Sequence, residues 1–116
     1  MPGMPRPVTF GSKWEQYFYD AMVAAKRTFS YQVPFFGGRS QRMGTVVDYV
    51  DESPGLLRKI CIYVDGPYWH RAKNGKALED MLKRAKLQVY GYTVKVIGDE
   101  SQTSDGCKKW IKANLL

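Results

Sequence analysis

The alternation of apolar and polar residues divides the chain into a short series of elements. After a proline-rich start, Ser12 followed three residues later by Glu15 forms a capping box, and apolar residues recur at Trp14, Phe18, Ala21, Met22 and Ala25. That spacing predicts a helix over about residues 13–27. Residues 28–37, TFSYQVPFFG, are rich in β-formers but contain Pro34. Proline cannot donate to a ladder, so this is an expected edge strand, and GGRSQRMG beyond it an expected turn. Thr45 to Val50 and Arg58 to Val64 read as two strands joined by the turn-forming Asp51-Glu52-Ser53-Pro54-Gly55, which predicts a hairpin. After Asp65-Gly66-Pro67 a loop runs to Asn74-Gly75. Leu78, Met81, Leu82, Ala85 and Val89 then recur at helical spacing, with Gly91 placed as the C-terminal cap. Tyr92 to Ile97 alternates as a strand does, and a last amphipathic helix from Ser104 or Asp105 carries Cys107, Trp110 and Ile111. The order α-β-β-β-α-β-α excludes a pure bundle or a sandwich. It predicts one α/β domain over 12–116, a small mixed sheet with helices on its faces, behind an extended lead over 1–11.

Composition narrows this further. A chain of 116 residues, 44% hydrophobic and 14% aromatic, is large enough for one core and too apolar for long disorder. No apolar run approaches the ~20 residues of a membrane span, and MPGMPRPVTF has no apolar stretch like that of a signal peptide. A soluble, cytoplasmic protein with no membrane partner is expected. Cys61 and Cys107 lack a CxxC spacing and read as reduced core residues. The net charge of +7 is uneven: residues 1–58 carry 7 Lys/Arg and 5 Asp/Glu, and residues 59–116 carry 11 and 6. Arg71, Lys73, Lys76, Lys83, Arg84 and Lys86 cluster against only Glu79 and Asp80. Either a polyanion such as nucleic acid binds there, or a lysine-rich helix face is simply solvated.

The segment richest in chemistry is Cys61-Ile62-Tyr63-Val64-Asp65-Gly66-Pro67-Tyr68-Trp69-His70, a strand entering a turn that presents an acid, two aromatics and the chain's one histidine. Upstream, Asp48 interrupts an apolar strand, where a buried carboxylate costs several kcal/mol unless compensated. A Mg²⁺ held by carboxylates, a backbone carbonyl and water is one compensation, and a nearby histidine could activate the attacking water. Glu15 falls about 100° from Trp14, at the margin of the first helix's apolar stripe. Each residue also has a plainer role: Glu15 in the capping box, His70 on a loop surface, Tyr68-Trp69 in packing, and Asp80 as a favourable charge near a helix N-terminus.

Taken together, these residues resemble the very short patch repair endonucleases, a branch of the PD-(D/E)XK nuclease superfamily. The run Cys61 to His70 is similar to that family's Val-Ile-Phe-Thr-His-Gly-Cys-Phe-Trp-His, Val47-Asp48-Tyr49-Val50 to its Pro-Asp-Phe-Val, and Lys86 to Val94 to its Arg-Leu-Gln-Glu-Leu-Gly-Trp-Arg-Val. The resemblance covers about residues 12–100 and is most specific in the Gly-x-aromatic-Trp-His turn. It implies a restriction-endonuclease-like fold, an αβββαβ core followed by a C-terminal helix. It also implies roles. Glu15 would position metal-bound water, Asp48 and the Val64 backbone carbonyl would bind the metal, His70 would be the general base oriented by Asp80, and Tyr68-Trp69 would enter the base stack. Asp65 stands where the family has a histidine and would add a metal ligand or replace a catalytic contact. The Cys/His cluster of the family's structural zinc site is missing, so no zinc is expected.

The implied function is a metal-dependent DNA endonuclease using Mg²⁺ or Mn²⁺ on double-stranded, mismatched or branched DNA, as a monomer or a homodimer. Arg39 and Arg42 in the first loop, with Arg71, Lys73 and Lys76, would bind phosphates. A branched-DNA resolvase, the cutting module of a homing endonuclease, and a DNA-binding module that has lost catalysis are the alternatives.

Overall fold

Ser12 opens the first helix as the capping box requires. Its hydroxyl oxygen accepts the Glu15 amide at 3.3 Å, and α1 runs Lys13–Ala24 in a computed structural model that describes residues 10, 12–41, 44–65 and 77–116. The helix stops short of residue 27 because Lys26 turns to φ 58° and Arg27 is drawn to Asp51 at 2.7 Å. The strands are β1 (Phe29–Phe35), β2 (Thr45–Asp51), β3 (Ile60–Val64) and β4 (Thr93–Ile97). A 3-10 turn at Gly38–Ser40 links β1 to β2. Gly44 closes that loop: a Cβ there would sit 2.0 Å from the Gly38 carbonyl oxygen. Helix α2 (Ala77–Val89) precedes β4, and α3 (Ser104–Asn114) follows it after a 3-10 turn at Asp99–Gln102. The element order is the one the hydrophobic pattern predicts.

The four strands form one mixed sheet in the order β1-β2-β3-β4. β1, at the edge, pairs antiparallel with β2, which pairs antiparallel with β3 as the expected hairpin. β4 runs parallel to β3, with Val64 opposite Ile97. A parallel neighbour needs a crossover, and α2 lies within it. One face packs Tyr49, Ile62 and Ile97 against Phe18 and Met22 of α1 and Trp110 and Ile111 of α3. The other gathers Val47, Val50 and Cys61 around Leu87 of α2. Cys61 and Cys107 are buried and free, as expected, and burial pushes their thiols up to about 12 and about 11. Among the described residues no helix is long and apolar enough to cross a membrane.

Two departures from the sequence pattern matter for function. The first is a break in strand alternation. Tyr31 packs into the α1/α3 cluster and Val33 into the α2 cluster, although residues two apart on a regular strand share a face. Across the ladder Tyr49 and Val47 make the same exchange. Between them sit Gln32, with φ 53°, and Asp48. The second concerns α2. The apolar stripe that reveals this helix in the sequence does not pack on the sheet: Leu78, Met81, Leu82 and Val89 are exposed and Leu87 is buried. Periodicity marks a face without saying which way it turns. Here the inner side carries the half-buried Asp80, Lys83 and Arg84 beside Leu87.

Candidate functional site

β2 and β3 pair only through Tyr49–Ile62, Val50–Cys61 and Asp51–Ile60. Beyond Tyr49 the ladder opens, and the Asp48 side chain replaces the missing backbone acceptor by taking the Val64 amide at 2.8 Å. This is the compensation that a carboxylate inside an apolar strand needs. It is incomplete, because Asp48 also meets Glu15. Burial, opposed by the Val64 amide and reinforced by the nearby charges of Glu15 and Asp65, pushes the Asp48 carboxyl up to about 7. So placed, the Asp48 carboxyl keeps its proton to near neutrality.

Glu15 is buried and fixed from four directions. Its carboxylate accepts the Tyr31 hydroxyl at 3.1 Å, the Gln32 side-chain amide at 3.3 Å and the Ser12 hydroxyl at 3.3 Å. Its carbonyl accepts the Tyr49 hydroxyl at 2.5 Å. The capping residue thus turns its carboxylate toward the sheet, where the β1/β2 ladder changes face. Gln32 holds a left-handed backbone that is costly for a residue with a Cβ, and strain of this kind persists where surrounding contacts dictate it. Nothing in the sequence singles out Tyr31 or Gln32, since their role depends on that local backbone.

Asp65 follows β3. Its amide donates to the Ile97 carbonyl at 3.0 Å, and both its carboxylate oxygens lie 3.2 Å from an Arg84 guanidinium nitrogen. That guanidinium also sits 4.6 Å from the Tyr63 ring centroid, and its Nε is buried with no hydrogen-bond partner among the described residues. Thr45, Tyr63, Asp65, Asp80, Lys83 and Arg84 line a cavity of about 80 Å³. Asp80 stands one helical turn before Arg84, and Tyr63 shares a 3.2 Å hydrogen bond with Thr45. Thr45 and Lys83 continue into a larger groove of about 620 Å³ that reaches Arg39, Ser40 and Gln41. Lys83 there bridges to Glu79 at 3.0 Å.

The structure therefore brings Glu15 and Asp48 together, sets Asp65 within electrostatic reach of them, and puts Asp80 in the adjoining cavity and Arg39 on the rim of the groove. His70, Tyr68, Trp69, Arg71, Lys73, Lys76 and Arg42 lie outside the described residues. Val64 contributes its amide to Asp48, a contact the sequence does not foretell. Arg84 and Lys83 are cations of the site seen in the sequence only as part of a basic run.

For an oxygen-seeking divalent cation the donor set fits in part. Glu15 and Asp48 are neighbouring hard-oxygen groups, and a cation would displace the proton that Asp48 holds, whereas Asp65 is committed to Arg84. Among the described residues no group of three or more His, Cys, Asp and Glu side chains is disposed to hold a metal ion. Comparison with protein-family models, curated proteins and solved structures gives no match.

Proposed function

We propose that the chain is a metal-dependent DNA endonuclease with a restriction-endonuclease-like fold, similar to the very short patch repair enzymes. The observation that carries this reading is the Glu15–Asp48 carboxyl pair at the opening of the β2/β3 ladder, on the same sheet as two adjoining cavities whose lining includes Arg39, Lys83 and Arg84. Close carboxyls are costly to bury, and retaining them makes physical sense where a cation is to be bound. Mg²⁺ or Mn²⁺ between them would polarise a phosphate and activate water. Asp48, locked by the Val64 amide, presents one carboxylate oxygen. Glu15, braced by Tyr31 and Gln32, presents another that can orient the water. Arg39 and Lys83 supply charge for the phosphate backbone. His70 as general base and Asp80 as its orienting carboxylate complete the reading, on the resemblance alone.

A second reading, a DNA-binding module without cleavage, is favoured by the engagement of Asp65 with Arg84, which takes up a carboxylate expected beside Asp48 as a metal ligand. Incubation with supercoiled plasmid, forked DNA and four-way DNA in Mg²⁺ or EDTA separates the two. Metal-dependent cleavage of any of them is expected. Retained binding with no cleavage of any substrate in Mg²⁺ or Mn²⁺ would sink the enzyme reading and leave the module.

A further inference from the structure

Helix α2 presents its most apolar side to solvent. Leu78, Met81, Leu82 and Val89 are 64%, 59%, 51% and 83% exposed, and Tyr90 just beyond the helix is 64% exposed. At about 100° per residue, Leu78, Leu82, Ala85 and Val89 fall within about 60° of one another, with Leu87 on the opposite side. The sheet-facing side is thus already occupied. The exposed side chains together leave on the order of 500 Å² of apolar surface open, at the upper end of what a monomer usually shows. The spacing of Leu78, Leu82, Ala85 and Val89 is four, three, four, the pattern of a coiled-coil seam.

We propose that this face of α2 is a homodimer interface in which two copies of the helix pack antiparallel about a two-fold axis. The proposal does not rest on the nuclease reading. Three features commit it to a second copy of this chain. The seam is self-complementary in the antiparallel sense: Leu78 meets Val89 across the axis and Leu82 meets Ala85, whose small side chain lets the helices approach. Glu79 and Lys86 lie on the same flank of the seam, so that antiparallel pairing sets each against its opposite charge in the other copy, which parallel pairing does not. Within one chain Glu79 reaches Lys83 at 3.0 Å and the Lys86 ammonium lies 4.1 Å from the Phe36 ring centroid; both are side-chain contacts that can be shared. Finally, two such faces would bury on the order of 1,000–1,200 Å², the low end for a specific interface, which fits a dimer dissociating in the micromolar range.

Sedimentation equilibrium from micromolar to submillimolar protein tests this. The wild type should dimerise. Leu82→Glu and Val89→Glu should each be monomeric with an unchanged far-UV circular dichroism spectrum, because neither side chain belongs to a core cluster. Glu79→Lys should weaken the dimer about fivefold, with Glu79→Lys/Lys86→Glu restoring it. A wild type that stays monomeric throughout, or a dimer that survives both seam variants, overturns the interface. A dimer broken by Leu82→Glu but indifferent to Glu79→Lys overturns the antiparallel arrangement.

Discussion

The smallest unit with a consequence of its own is Asp48. Its carboxyl titrates at about 7 in the folded chain, against an ordinary 3.8. Between those values the folded state holds a proton that the unfolded state has released, so the group's contribution to stability is complete below about pH 4 and lost as pH rises through 7. Asp48→Asn keeps an acceptor for the Val64 amide and removes the charge. Its advantage over the wild type in thermal unfolding should be smallest near pH 4 and grow by about 4 kcal/mol toward pH 8. Millimolar Mg²⁺ should stabilise the wild type at the higher pH and leave Asp48→Asn unmoved. A gap that does not change with pH would show that Asp48 is not buried beside a second carboxyl. Asp48 was legible in the sequence because a carboxylate inside TVVDYV needs a partner. Gln32 and Tyr31 were not, because their contacts with Glu15 arise from a left-handed backbone in β1 that no local pattern announces.

At the scale of elements, the joint between α1, β1 and the β2–β3 turn is fastened by a buried ion pair. Asp51 is fully buried. It takes the Arg27 guanidinium at 2.7 and 2.9 Å, the Ser53 hydroxyl at 2.6 Å and the Ser53 amide at 3.0 Å. Thr28 joins the same knot through the Ser53 hydroxyl at 2.9 Å. Asp51→Ala strands the Arg27 charge and should cost about 3–5 kcal/mol in urea unfolding, while Arg27→Met/Asp51→Leu should recover much of it. A loss below about 1 kcal/mol for the single variant would mean that water already serves Arg27. From sequence, Asp51 reads as a turn residue, since Asp-Glu-Ser-Pro-Gly carries every turn signal and the partner that buries it comes from another element. Helix and strand positions were otherwise plain, and the Gly91 cap is there, with φ 97° and the Tyr92 amide reaching the Leu87 carbonyl at 3.1 Å. What periodicity could not give was the orientation of α2, whose apolar stripe faces outward while Asp80, Lys83 and Arg84 turn in beside the groove.

For the whole molecule, the net charge of +7 is carried outside the two adjoining cavities, whose basic and acidic lining residues balance. Arg39 and Lys83 line one cavity, and Lys83, Arg84, Asp65 and Asp80 line a smaller one that shares Thr45 and Lys83 with it, while Asp48 stands within electrostatic reach of Asp65. Glu79 lines the same surface, so three acids match these three bases, and Lys83 and Arg84 are already paired with Glu79 and Asp65. The four-stranded sheet makes the juxtaposition: the opening of β2 from β3 admits Asp48, the parallel β3–β4 pair sets Asp65, and α2 delivers the arginine and lysine. The most direct test is the single-turnover cleavage of labelled DNA by the wild type and by Asp48→Asn at saturating protein. A metal-dependent nuclease predicts cleavage by the wild type in Mg²⁺, none in EDTA, and a rate at least about 10³-fold lower for Asp48→Asn at unchanged DNA affinity. Uncut DNA under every metal condition, or an Asp48→Asn rate within tenfold of the wild type, would contradict it.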